Sequence, residues 1–178
     1  MSKRNNFVFT ALHIVAWIIF VGLCIEAGAL LVNFVYSLFK PEVVEHLYQK
    51  LDLSEMYEYN QWIYFGMYSF ILFISVLKAY LFFLVIILLL KLDLLKPFNT
   101  YVAGQITKIS YYTLSIGLIS YLAREVSRNL QHHGIEVDKL SGFWADSQAY
   151  ILMAAVVYVI ATIISRGVEL QNENDLTV

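Results

Sequence analysis

The chain has 178 residues, 60% hydrophobic and 15% charged, with a mean hydropathy of +0.66. Soluble globular domains are about 25% charged, so the composition points to one integral membrane domain, 1–178, and excludes a second domain of ordinary size. A net charge of −2 and a pI near 6.1 leave no nucleic-acid footprint, and the single cysteine, Cys24, excludes an intramolecular disulfide and a thiolate metal cluster.

The first apolar run covers 7–39. Lys3 and Arg4 precede it as in a signal peptide, but a signal core is about 7–15 residues, so this run is expected to be an uncleaved transmembrane helix. Within it Gly22, Glu26, Ala29, Asn33 and Ser37 fall on one helical face, small or polar throughout. Cys24 reads as a small core residue. His13 has no evident partner.

The first loop opens with Pro41, which suits the first position of a helix. Val43, Leu47 and Leu51 then share a face. The second run, 62–90, contains a single charge, Lys78. The third, 101–123, contains Lys108, which can snorkel to the inner surface, and a small face of Ser110, Thr113, Gly117 and Ser120. Leu122, Val126 and Leu130 continue its helical spacing, so the helix is expected to run to about His133, with Gly134 as its C-cap. The two loops after the first and third runs are expected to form a small extracytoplasmic helical cap, with Trp62 and Trp144 as interfacial aromatics. The fourth run, 149–165, carries Ala154, Ala161 and Ser165 on one face, near Tyr158. The tail, 166–178, is acidic, with Arg166 against Glu169, Glu173 and Asp175. It is expected to be helical at least through Leu170. It would dock near Lys91 and Lys96 or on a soluble partner.

Each run approaches or exceeds the ~20 apolar residues that cross a bilayer. The fold expected is all-α, an integral membrane four-helix bundle. Basic residues concentrate at Lys3, Arg4, Lys91, Lys96 and Lys108, which places both termini in the cytoplasm. The small faces read first as packing seams. Glu26 and Lys78 are the sharpest clue. A charge at the bilayer centre costs at least ~3 kcal/mol. The two lie ~28 Å and ~20 Å from the inner ends of neighbouring helices, so a mutually neutralising intramembrane pair is expected. That pair fixes register, relays protons or ions, or faces a ligand.

His132 and His133 adjoin Glu136 and Asp138, but adjacent helical histidines diverge, so no shared metal site is expected. The chain contains no HExxH, nucleophile elbow, Gly-rich phosphate loop or CxxC. No enzyme activity and no cofactor are expected.

Five stretches together carry a resemblance: Ile25-Glu26-Ala27-Gly28, Leu77-Lys78-Ala79-Tyr80, Lys96-Pro97-Phe98, Ile106-Thr107-Lys108-Ile109-Ser110-Tyr111, and the tail from Arg166-Gly167-Val168-Glu169-Leu170-Gln171 to Glu173-Asn174-Asp175-Leu176-Thr177-Val178. They resemble the YoaS-like domain-of-unknown-function family of small bacterial four-span membrane proteins. Ser165 stands where family tails often carry a second basic residue. The resemblance implies a fold and the bacterial inner membrane, and assigns no reaction. Family genes often adjoin a small helix-turn-helix regulator, which implies a sensing or anchoring role. The acidic tail, which anionic headgroups repel, makes a regulatory or interaction module the function expected. Its partners are the lipid bilayer and a cytosolic regulator or a second copy, with no direct contact to nucleic acid. The alternative is a small oligomeric transporter or channel using Glu26 and Lys78.

Overall fold

The computed structural model describes residues 3–48, 51–92, 99–135 and 137–176. Its helices are α1 (Lys3–Phe39), α2 (Ser54–Tyr59), α3 (Gln61–Lys91), α4 (Thr100–His132) and α5 (Ser147–Leu176), with 3-10 turns at Pro41–His46 and Asp138–Phe143. The protein is all-α. Three segments are long and apolar enough to cross a membrane: Val8–Phe39, Gln61–Lys91 and Asp138–Glu173. α4 falls outside that set because Gln105, Lys108 and its serines and threonines dilute its apolar content.

Local chemistry sets the helix boundaries. Asn60 and Asn99 each accept a hydrogen bond two residues on, from the Trp62 amide at 2.8 Å and the Tyr101 amide at 2.7 Å, so they cap α3 and α4. Gly134 ends α4 with φ +82°. There the Gly134 amide donates to the Gln131 carbonyl and the Ile135 amide to the Leu130 carbonyl, the paired bonds of a Schellman cap. Gly134 was expected in that role. Pro41 does start a helix, but only a 3-10 turn. Leu47 and Leu51 then bridge as a tight antiparallel pair, which stops the turn from extending.

The long helices pack in chain order, α1 on α3, α3 on α4 and α4 on α5. Among the described residues the arrangement is therefore an open layer with α1 and α5 at its edges. A four-helix bundle was expected from the sequence; among the described residues the main interfaces follow chain order, and α1 and α5 do not share one. α3 is the central element, with Tyr64, Met67, Tyr68, Ile71 and Ile74 fully buried. The α1–α3 seam is aromatic. Phe34 lies 5.4 Å from Tyr68 and 6.0 Å from Phe65, Phe20 lies 5.9 Å from Phe83, and the Tyr68 hydroxyl donates to the Leu30 carbonyl at 3.2 Å. The α4–α5 seam is made of small residues. Ser110 donates to the Ala154 carbonyl at 3.0 Å. At Gly117 a Cβ would sit 2.7 Å from Ile151 Cγ1 and 2.9 Å from the Ile151 amide nitrogen.

The two cap-side connections converge at one end. Val44, Leu47, Leu51, Leu53 and Met56 from the first, and Ile135, Val137, Leu140 and Trp144 from the second, belong to one buried cluster with the helices. Trp144 is thus a core residue of the cap, 3% exposed, and not an interfacial anchor. The Asp138–Phe143 turn wraps it against α4. Trp62, near the start of α3, is 85% exposed.

Candidate functional site

Ring contacts fix the antiparallel register of α1 and α3. Phe20 meets Phe83 and Phe34 meets Phe65 and Tyr68. That register brings Glu26 and Lys78 within about one helical turn, ~5 Å, along the axis. Their azimuths differ. Lys78 Nζ lies over the ring of Tyr150 on α5, 5.8 Å from its centroid, within cation–π range. Glu26 sits half-buried on the flank of α1. Among the described residues the one ion pair is Arg166–Glu169, so Glu26 and Lys78 do not form the expected pair.

The rest of the α1 stripe flanks the contact face instead of forming it. Gly22 is exposed, Ala29 and Asn33 are half-buried, and only Ser37 is fully enclosed, its hydroxyl donating to the Phe34 carbonyl at 2.8 Å. The face that meets α3 carries Ala16, Phe20, Leu30 and Phe34. Cys24 is exposed on the outer side of α1, not in the core. His13 has a partner, the Trp17 indole, which donates to its Nε2 at 3.0 Å.

Lys78 heads a different surface. Leu81, Phe82 and Val85 follow it at helical spacing and share its face. They form one wall of a lateral groove of about 450 Å³. Ile109 and Thr113 of α4 make the floor, and Tyr150, Met153 and Val157 of α5 make the other wall. The Thr113 hydroxyl donates to the Ile109 carbonyl at 2.7 Å, so the floor presents little free polarity. Asp146 lies at the rim. The groove therefore has an apolar body with Tyr150 and Asp146 in its lining, and Lys78 lies beside it over the Tyr150 ring, an arrangement suited to an amphiphile or an apolar helix. Sequence spacing shows the α3 wall, whereas Tyr150 and Asp146 join it only through the α4–α5 register.

The tail is helical, as α5 continues unbroken to Leu176. Its Ser165, Val168, Glu169 and Asn172 share a pocket of about 390 Å³ with Thr100, Ala103, Gly104 and Thr107 of α4. It thus docks on the first turns of α4, whose positive dipole end favours Glu169. Lys91 instead covers the Tyr101 ring at 4.7 Å, and Lys96 lies outside the described residues. The Arg166–Glu169 pair, 2.7 Å apart, is exposed on both sides and holds the tail only weakly. Glu173 is exposed on the same helix, and the side chain of Asp175 lies outside the described set.

Among the described residues no group of three His, Cys, Asp or Glu side chains is placed to hold a metal. His133 Nδ1 instead contacts the Asn129 carbonyl at 2.9 Å, and Glu136 is outside the described residues. No family model, no curated protein and no solved structure matches the chain.

Proposed function

We propose that the chain is a four-span protein of the bacterial cytoplasmic membrane, with both termini inside, that acts as a regulatory or interaction module. Membership of the YoaS-like family is part of the same proposal. Exposed apolar side chains along α1, α3 and α5, such as Ile18, Phe73 and Leu152, support lipid contact, because water-exposed apolar patches on soluble monomers stay at a few hundred Å². The cap supports the fourth crossing. Both cap-side connections pack in one cluster, so α3 ends and α5 begins on opposite sides of the apolar zone. On this reading α4 crosses between them, with Ser110 of its small face bonded to α5.

One observation carries the functional reading. α5 is a single continuous helix that lines the groove at one end and presents Arg166, Glu169 and Glu173 at the other. Filling the groove would move a rigid rod whose cytoplasmic end is acidic, and anionic headgroups repel such a segment, leaving it available to a soluble partner or a second copy. A photo-crosslinker at Gln171 in intact cells is expected to give one discrete adduct, reduced by Ala149→Trp in the groove. Absence of an adduct, or an adduct indifferent to Ala149→Trp, would sink the proposal.

Glu26 favours a second reading. It is a half-buried carboxyl in an apolar segment, without an ion-pair partner among the described residues. In a transporter assembled from several copies, Glu26→Gln would abolish proton-coupled flux in reconstituted vesicles. Unchanged flux, or none in the parent protein, removes this reading.

A further inference from the structure

α4 outruns α5. Gly117 packs against Ser147 and Ile151 at the start of α5, and α4 then continues to His132. Arg124 stands ~10 Å and Arg128 ~16 Å beyond Gly117 along the axis. Both lie one turn apart on a single face, and both are exposed. They line a pocket of about 420 Å³ whose far wall is the Asp138–Phe143 turn and Trp144.

Among the described residues neither guanidinium has an ion-pair partner. The one ion pair among the described residues is Arg166–Glu169, at the other end of the molecule. The single carboxylate lining the pocket, Asp138, is engaged by the Gln131 amide at 2.9 Å. The Ser141 hydroxyl donates to the Asp138 carbonyl at 2.7 Å, a bond within the turn itself. Two arginines against one aspartate give the described lining a net charge of +1. Adjacent guanidinium forks match phosphate oxygens in planar, bidentate geometry.

We propose that this pocket is an anion site that binds a phosphate group. Its depth suits two sources. Arg124 lies just beyond the apolar zone, at the level of phospholipid headgroups, and Arg128 lies one turn further into the aqueous phase. A phosphodiester of an anionic lipid and a soluble phosphate present the same chemistry to the two forks. The buried Trp144 gives the pocket an apolar wall.

The full-length protein in neutral detergent tests this. Native mass spectrometry would follow retention of phosphatidylglycerol against phosphatidylcholine, and equilibrium dialysis would follow inorganic phosphate. The expected result is selective retention of phosphatidylglycerol, binding of phosphate, or both. Arg124→Gln with Arg128→Gln should weaken the bound species at least about tenfold, the effect of losing charge-assisted hydrogen bonds. Lys139→Gln, a charge removed outside the pocket lining, should leave it unchanged. The pair Arg124→Lys with Arg128→Lys keeps the charge and loses the forks, so its binding should fall between the two, which covers the case in which the glutamine pair does not fold.

Phosphatidylglycerol displaced by inorganic phosphate means that the site reads phosphate from either source. Phosphatidylglycerol alone assigns it to the headgroup, and phosphate alone to the soluble anion. Equal retention of both lipids with no phosphate bound overturns the proposal, as does wild-type binding by the folded glutamine pair. The lipid result rests on the proposed membrane placement of the cap. The soluble-phosphate result does not, so failure of that placement and failure of the site are separable.

Discussion

The two edges of the layer are attached by different means. α5 is held to α4 by backbone proximity. A serine hydroxyl bonds directly to the neighbouring main chain, and Gly117 admits Ile151 closer than any side chain would allow. α1 is held to α3 by aromatic rings and the Tyr68 hydroxyl on the Leu30 carbonyl, while most of its surface faces outward. Dispersion between large rings tolerates small shifts because it is summed over many weak contacts. A glycine contact does not, because the obstructing atom is main chain. α5 is therefore the fixed edge and α1 the adjustable one.

The sharpest way to break this comparison is Gly117→Leu. Its Cβ alone meets the Ile151 amide nitrogen at 2.9 Å and the Ser147 carbonyl at 3.2 Å, so α5 must move. Overpacking of this kind typically costs about 1–3 kcal/mol, and more is expected where backbone obstructs. Unfolding in mixed detergent should show the largest loss of any substitution considered. The same change at Gly22, where a Cβ meets nothing within 4 Å, should be close to neutral. Equal effects at the two glycines would end the distinction between the edges.

Next come two interhelical hydrogen bonds. Ser110→Ala and Tyr68→Phe each remove one, and such bonds in membrane proteins average about 0.6 kcal/mol and reach about 1.7. Ser110→Ala should lower stability without loosening the α4–α5 distance, because Gly117 still sets it. Tyr68→Phe should instead raise the mobility of α1, seen as broader distance distributions between spin labels on α1 and α3. Broadening in the first variant and not the second would reverse the assignment of fixed and adjustable edges.

A smaller effect is expected between Glu26 and Lys78. Since Lys78 turns to Tyr150, Glu26→Gln and Lys78→Met should combine additively to within about 0.5 kcal/mol. A larger coupling in the double-mutant stability cycle would mean that the two charges meet.

The smallest effect belongs to the cap. Asp52 accepts from the Ser54 hydroxyl at 2.6 Å and from its amide at 3.0 Å, and these bonds hold its carboxyl below the ordinary 3.8. A folded-state value below the unfolded one contributes stability that is present above the unfolded value. It is lost as pH falls through the folded one. Ser54→Ala should raise the Asp52 titration midpoint toward 3.8 in a carboxyl NMR titration, with little change in fold. An unmoved midpoint would show that Ser54 is not the cause.

Much of the fixed edge was legible in sequence. Ser110, Thr113, Gly117 and Ser120 share one face, and in an apolar helix small residues serve mainly close packing. Gly134 was legible for a similar reason, since a helix C-terminus needs a residue that accepts positive φ. The Glu26–Lys78 relation was only half legible. Residue counting gives depth along a helix, and the depths do agree. Rotation about the axis depends on which neighbour each face meets, and no local pattern records that Lys78 faces α5. Trp144 misled because an aromatic at a span end is ambiguous until the adjoining turn is known. The Arg124–Arg128 pocket was invisible for the same reason, as one wall comes from a turn some ten residues away that folds back.

The chain-order packing of the layer also bears on how the protein is made. Every major helix interface joins elements consecutive along the backbone except for the short α2, so contact order in the layer is low and docking requires little loop closure. During synthesis α3 can settle on α1 before α4 exists, and α4 on α3 before α5 emerges. The cap joins distant stretches, placing Asp52 within the electrostatic reach of Lys139. It can close only after the Asp138–Phe143 turn has left the ribosome, which makes it a latch set late in translation, ahead of α5 alone.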